Sequence, residues 1–348
     1  MSENISSFRK FLQESLLEIT QAFRCFDFKL DLLSEAVLLL THYQEEGISL
    51  FPVIFISDSK TTIMQGLAGK EAIHIGSGPA NRDTLTQAFK NCAPLAEDRL
   101  WAVYMIVEDE ALSYGIFRSD PSPLAPTVFE RLRNLQTARG CIVGLTRLGG
   151  SFVEIRSSTG DFKYINVSGA SDEGYHPAQV IRAFVDGLSA EVDEHIKPLL
   201  QSFYYRLGMD ILHGTHGTLI AIQKKGHRIP SFLEDGIHFK PHVAVAEAIA
   251  AISIDPQNRE PYLRLLSYGQ LLRKLTWMDG ITLLDTEGNI LGYNCFVRTS
   301  VPDAQSRVLG GARRRAYEVM QRFVPEQLNG AFYKSQDGVI RYKANPCV

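Results

Sequence analysis

Short apolar segments rich in β-branched residues alternate with stretches of helical periodicity along most of the chain. Segments 50–58 and 100–109 have the composition of buried strands, and segment 83–96 between them has the composition of a helix. Strands that alternate with helices pack into helix-flanked sheets, so the pattern predicts an α/β or α+β fold. Further strands are predicted at 61–66, 113–119, 141–148, 151–157, 163–169 and 217–225.

The composition is that of a globular protein with room for two domains. The chain has 348 residues, of which 45% are hydrophobic and 22% charged, with a formal net charge of −3. Proteins that coat nucleic acid usually carry a basic excess, so this balance argues against general DNA or RNA binding. No apolar run approaches the roughly 18 to 20 residues that span a bilayer, and the amphipathic start does not resemble a signal peptide. We therefore expect a cytoplasmic protein without membrane contact.

The five cysteines are widely separated and form no Cys-x-x-Cys pair. Neither a disulfide framework nor a zinc-thiolate site is indicated by this spacing. We expect buried free thiols at Cys25, Cys92, Cys141, Cys295 and Cys347.

A helical pattern from about residue 176 marks the passage to the second half of the chain. Its apolar positions run from Ile181 to Ile196, and Pro198 then interrupts the pattern. Because proline disfavours a helix interior, we place the domain boundary at 196–198, which gives domains 1–195 and 197–348. In the second domain we predict helices at 242–252 and 262–275, a hairpin at 281–297, a loop and helix at 308–323 and a hairpin at 330–344 that turns at Asp337–Gly338.

The segment from Gly310 to Met320 places two glycines directly before a helix whose first turn carries Arg313, Arg314 and Arg315. A helix N-terminus offers unpaired N–H groups and the positive end of the helix dipole, which suits an anion. Positive side chains are unfavourable at that position, and a nearby phosphate would explain them. The alternative is a solvated basic helix start that pairs with carboxylates.

Asp279 and Gly280 stand between a predicted helix and a predicted strand. An Asp-Gly dipeptide usually marks only a turn, and the chain also holds Asp235-Gly236 and Asp337-Gly338. A carboxylate at the start of a strand can also accept a proton from a hydroxyl or hold a divalent metal. His213 and His216 have a possible metal spacing, but no third ligand is identifiable, so a structural role is favoured. No P-loop, dinucleotide-binding glycine motif or nucleophile elbow is present.

The order of these pieces resembles the diadenylate cyclase domain across roughly 205–345. Residues 217–221, GTLIA, stand where that family has a GALIV strand. Residues 279–281, DGI, match its DGA turn, and residues 311–316, GARRRA, match its GTRHRA loop and helix. Residues 335–338, SQDG, are similar to a shortened form of its final SEETG turn. The resemblance implies a mixed β-sheet flanked by helices, preceded here by a separate, sensor-like α/β domain.

The same resemblance implies a function. In the family, two domains face each other, each presents one ATP, and two 3′–5′ bonds form with loss of two pyrophosphates. The predicted partners are thus ATP and a second copy of the chain in a homodimer or higher homo-oligomer. Carried onto this chain, Asp279 is the catalytic base or the ligand of Mg²⁺ or Mn²⁺, and the nucleotide-binding residues are Gly280, Gly311, Arg313, Arg314, Arg315, Ser335 and Asp337.

Three departures from the family pattern keep alternatives open. Ala312 replaces a threonine hydroxyl, Arg314 replaces a histidine, and Gln336-Asp337 replaces an acidic pair. A nucleotide-binding sensor without turnover is the first alternative to a working cyclase. The second is an interaction protein whose arginines contact an acidic partner. We expect the first domain to regulate the second.

Overall fold

The computed structural model divides into two compact units, residues 1–122 with 126–175 and residues 123–125 with 176–348. This division lies about twenty residues before the boundary predicted at 196–198. No helix in the described part of the chain is long and apolar enough to cross a membrane. The structure describes residues 2–22, 30–68, 71–96, 100–119, 122–132, 135, 140–148, 152–166, 176–214, 216–297, 311–336 and 338–346.

The first unit is built on a mixed sheet. The strands of this unit are β1 (Gln44–Glu45), β2 (Ile48–Ser49), β3 (Ile54–Ser57), β4 (Ala72–Pro79), β5 (Trp101–Glu108), β6 (Ala111–Arg118), β7 (Ile142–Arg147), β8 (Phe152–Ser157) and β9 (Phe162–Asn166). Among the described residues, β1 and β2 form a separate two-stranded sheet, and the other seven strands pair in the order β4-β6-β5-β3-β7-β8-β9, in which only β3 and β5 are parallel to each other. Its helices are α1 (Ser2–Ala22), α2 (Leu30–His42), α3 (Lys60–Ile63), α4 (Arg82–Cys92) and α5 (Val128–Arg131).

Both faces of this sheet are buried, as the continuous apolar run of β3 predicts. Successive side chains of a strand point to opposite faces. Ile54 and Ile56 accordingly join the cluster formed with α1, α2 and α4, whereas Phe55 joins a second cluster with Ile63 and Phe129. The prediction of an α/β fold for this part of the chain is confirmed.

Segment 61–66 was predicted as a strand, and that prediction is wrong. Ser59 caps α3 by accepting a hydrogen bond from the backbone N–H of Thr62, and a π-helical turn over Met64–Ala68 continues the helix. Ile63 and Leu67 lie on the side of this turn that packs against the sheet. The Ser59 cap and the four-residue spacing of Ile63 and Leu67 therefore favour a helix here, although the β-branched composition favours a strand.

The second unit holds the other mixed sheet. Its strands are β10 (Thr218–Gln223), β11 (Ile237–Val243), β12 (Ile281–Asp285), β13 (Ile290–Cys295), β14 (Gly330–Lys334) and β15 (Ile340–Ala344). These six described strands pair in the order β11-β13-β12-β10-β14-β15, with β10 and β12 parallel and the other neighbours antiparallel. The helices of the unit are α6 (Pro177–Leu188), α7 (Lys197–His213), α8 (Val245–Ile254), α9 (Arg259–Trp277) and α10 (Ala312–Arg322).

Helices cover both faces of this second sheet. On one face, Tyr317 and Met320 of α10 pack with Leu219, Ala221 and other strand residues. On the other face, Phe184 of α6 packs against Phe332 of β14, with ring centroids 4.7 Å apart and the rings inclined by 39°. The predicted architecture of a mixed sheet flanked by helices is confirmed.

Helix α6 explains why the unit begins earlier than predicted. The predicted long helix ends at Leu188, and a second helix starts only at Lys197 with Pro198 in its first turn. The rings of Phe184 and Tyr342 meet edge to face at 5.9 Å, which ties α6 to β15. Ile181, Phe184 and Leu188 are also fully buried, and α6 belongs to the second unit.

Four strands were not predicted: β1, β2, β4 and β11. The first two are two residues long, and β4 and β11 lie at sheet edges and are largely exposed, so none of the four carries the apolar run that identifies an inner strand. The expectation of free thiols holds for buried Cys92 and Cys295. It is wrong for Cys141, which takes part in a disulfide bond. Cys25 and Cys347 lie outside the described residues.

Candidate functional site

The predicted site residues lie at one edge of the second sheet. Because β10 and β12 are parallel, with Leu219 opposite Ile281, the residues before each strand meet at the same edge. Antiparallel β14 ends there, with Lys334 opposite Thr218. Gly217, the Asp279-Gly280 pair and Ser335 are thus brought to a common edge from three separate parts of the chain.

Helix α10 begins at this edge, and an ion pair joins it to the strand start. Arg313 Nη2 lies 2.6 Å from Asp279 Oδ1. The Asp279 side chain is 83% exposed and that of Arg313 is 29% exposed, so the pair adds little to stability. A Cβ added to Gly217 would lie 3.0 Å from Arg313 Cδ and 3.0 Å from the Lys334 carbonyl oxygen. The absence of a side chain at Gly217 therefore leaves room for the side chain of Arg313.

Gly280 is required by the backbone at this turn. Its φ is +91°, a conformation that L side chains rarely adopt, and an added Cβ would lie 2.8 Å from Asn294 Cα. The preceding carboxylate is therefore presented on a tight turn against β13.

The start of α10 leaves backbone donors without a side-chain cap. Gly311 is the N-cap, its carbonyl accepts from the Arg315 N–H at 3.2 Å, and the first turn contains no acidic residue. Arg314 and Arg315 are both exposed. The φ of Gly311, −68°, suits any residue, and an added Cβ would meet no atom within 4 Å. Gly310 lies outside the described residues.

Ser335 has a structural partner within the last hairpin. Its hydroxyl oxygen accepts a hydrogen bond from the Val339 N–H at 3.0 Å, and its own N–H donates to the Val339 carbonyl at 2.8 Å. The hydroxyl proton can still be donated to a ligand, but the oxygen is held by the turn. Asp337, also predicted to bind nucleotide, lies outside the described residues.

Lys334 is a site residue that the sequence did not predict. Its side chain is fully buried, and Nζ donates to the carbonyl oxygens of Gly214 at 2.6 Å, His216 at 3.0 Å and Ser335 at 3.3 Å. Burial lowers the pKa of Lys334 to about 8. The ammonium holds the segment before β10 against the end of β14. The strand run GAFYK offers a weak signal, since a lysine that ends an otherwise apolar inner strand needs buried acceptors.

Two aromatic rings border the same segment. The rings of His216 and Trp277 have centroids 6.2 Å apart and are inclined by 35°. Trp277 ends α9, two residues before Asp279, and its side chain is 57% exposed. His213 instead donates through Nδ1 to the Met209 carbonyl within its own helix.

The described residues contain no group of three or more His, Cys, Asp or Glu side chains that could hold a metal. Comparison of the chain with protein families, with curated proteins and with solved structures finds no match. The resemblance to diadenylate cyclases therefore rests on the four motifs and on their order along the chain.

Proposed function

We propose that the second unit binds ATP at the edge formed by Asp279, Gly217 and the start of α10, and that two copies condense two ATP into cyclic di-AMP. The observation that carries this proposal is the Arg313–Asp279 ion pair. It joins the DGI turn and the GARRRA helix, which are 34 residues apart in the chain, into one exposed cluster. Two of the four motifs on which the resemblance rests thus share a surface.

The charges of this cluster suit a triphosphate. The uncapped N–H groups of α10 and the dipole of the helix favour an anion at its start. Arg313 is half-buried against Gly217, so its guanidinium is held in place, and Arg314 and Arg315 add exposed positive charge. A fixed guanidinium binds phosphate oxygens through paired N–H donors.

In this reaction Asp279 is the general base that accepts the proton of the ribose 3′-hydroxyl. The 3′-oxygen of one ATP attacks the α-phosphorus of the other, and pyrophosphate leaves as the new P–O bond forms. The 3′-oxygen of the second nucleotide then attacks the α-phosphorus of the first, and a second pyrophosphate leaves. Two ATP thus give one cyclic dinucleotide and two pyrophosphates. Phosphate oxygens compete with Asp279 for Arg313, and their arrival releases the carboxylate to accept the proton.

A divalent metal fits this donor set. Mg²⁺ is commonly held by one or two carboxylates together with substrate phosphates and water. Asp279 is exposed enough to be that carboxylate, and a bound Mg²⁺ or Mn²⁺ would neutralise phosphate charge. Arg313 and the start of α10 supply the remaining positive charge from the protein.

The test is product formation by the full chain with ATP and Mg²⁺ or Mn²⁺, followed by chromatography and mass. Asp279→Asn should lower the rate at least about 100-fold, since a positioned general base contributes about 10² to 10⁴. Its affinity for ATP without metal should change by no more than about threefold, because the loss of one exposed carboxylate costs little. Asp235→Asn, in the other described Asp-Gly pair of this unit, is the matched control and should leave the rate unchanged. A cyclic dinucleotide made equally by Asp279→Asn would contradict the assignment.

A second candidate is a nucleotide-binding sensor without turnover. It is favoured by the Asp279 carboxylate already being engaged by Arg313, and by Ala312 standing at the helix start without a hydroxyl. This candidate predicts that ATP raises the unfolding temperature of the full chain while the ATP concentration stays constant.

A further inference from the structure

Trp277 is an exposed indole beside the candidate phosphate site. An added Cβ on Gly214 would lie 3.4 Å from Trp277 Nε1, so the indole lies along the segment before β10. Lys334 anchors that segment through the carbonyls of Gly214 and His216. The segment continues to Gly217, against which Arg313 packs. Gly214, His216 and Gly217 thus connect the aromatic pair to the ion pair.

We propose that Trp277, flanked by His216, is the stacking surface for the nucleobase of the bound nucleotide. The inference rests on the proposed function, since it names the part of the same site that takes the base. Arg313 and the start of α10 would hold phosphate, and the indole would hold the base.

The chemistry of the two rings suits a purine. A flat indole stacks on the π-face of any base, and the larger purine ring covers more of it than a pyrimidine does. The surface is also held still, because Trp277 ends a helix whose last turn is tied to β10 by the Thr218 hydroxyl bound to the Thr276 carbonyl at 2.9 Å. Leaving an indole 57% exposed costs hydrophobic free energy, which stacking of a base would recover.

The experiment separates base from phosphate in the full chain by two probes, ATP and inorganic triphosphate, each with Mg²⁺. Trp277→Leu should weaken ATP binding about tenfold and leave triphosphate binding within about twofold, because stacking contributes only to the base. Trp277→Phe keeps a stacking ring and should stay within about threefold of the parent for ATP. Arg313→Met should weaken both probes. Since Trp277 is exposed, its variants should unfold at the parent temperature.

A fluorescence measurement gives an independent result. The chain has two tryptophans, and Trp101→Phe leaves Trp277 as the sole indole. ATP should then quench the emission and triphosphate should not. Equal effects of Trp277→Leu on both probes, or ATP binding insensitive to Trp277, would overturn the inference alone. A parent chain that binds neither probe would overturn the proposed function, and the inference with it.

Discussion

At the scale of the residue, Lys334 shows how a single buried charge organises this site. An ammonium without exposure is costly, and three carbonyl oxygens compensate only part of that cost, so burial lowers its pKa from 10.5 to about 8. Gly214 and His216 are held in place because their carbonyl oxygens converge on Nζ. Arg313 packs against Gly217, and Trp277 lies beside Gly214. The hydrogen bonds of Lys334 therefore also position these two residues of the candidate site.

The pH dependence of unfolding should report this charge. A base whose pKa is lower in the folded protein binds fewer protons when folded, so the free energy of unfolding rises with pH between the two pKa values. For Lys334 the window runs from about pH 8 to 10.5. The gain is at most about 3 kcal/mol, at about 1.36 kcal/mol per pH unit.

The matched variant is Lys334→Met, which keeps an unbranched side chain of similar length and removes the titratable amine. Chemical unfolding of both proteins should be compared at about pH 7.5, 9 and 10, which bracket most of this window. Burial raises the pKa values of Cys92 and Cys295 to about 12, which gives the opposite trend, but that trend is common to both proteins and cancels in the difference. A difference between the two proteins that does not change with pH would refute the prediction.

At the scale of the element, the site is made by a turn and a helix start that place opposite demands on glycine. Gly280 adopts a φ of +91° and packs against Asn294, whereas Gly311 has an ordinary φ of −68° with open space around it. The turn before β12 is therefore constrained by its neighbours, and the start of α10 is open to a ligand.

Substitution of these two glycines should have unequal effects on stability. Gly280→Ala should lower the free energy of unfolding by about 1 to 3 kcal/mol, because the added methyl group meets the backbone of β13 in a strained conformation. Gly311→Ser should leave it unchanged within about 0.5 kcal/mol, since serine is accepted at an N-cap. Urea unfolding measures both, and equal losses would show that the turn is not constrained as described.

At the scale of the whole molecule, the second unit depends on a helix that precedes the predicted boundary. Helix α6 contributes five buried apolar residues: Ala178, Ile181, Phe184, Val185 and Leu188. Burial of each of the four larger side chains stabilises the fold by roughly 1.5 to 3 kcal/mol. Their sum, about 6 to 12 kcal/mol, is comparable with the free energy of unfolding of a typical domain, about 5 to 15 kcal/mol.

Two fragments test this account. Residues 176–348 should unfold in one cooperative transition, because the fragment keeps α6 on Phe332 and Tyr342. Residues 197–348 should be unfolded or aggregated, because both rings then lose their cover. Circular dichroism with thermal melting and size-exclusion chromatography distinguish these outcomes. A folded, monomeric 197–348 fragment would show that α6 is dispensable and that the predicted boundary was sufficient.

Features that depend on neighbours along the chain could be predicted from the residues alone. Helical periodicity predicted α9, turn residues predicted the β12–β13 hairpin, and glycines before an apolar-faced helix predicted the start of α10. The tertiary structure alone decided what depends on distant partners. It turned segment 61–66 into a helix, assigned α6 to the second unit, buried Lys334 and joined Arg313 to Asp279. The physical reason is that periodicity and turn chemistry act over a few residues, whereas burial and charge pairing arise only when separate segments meet.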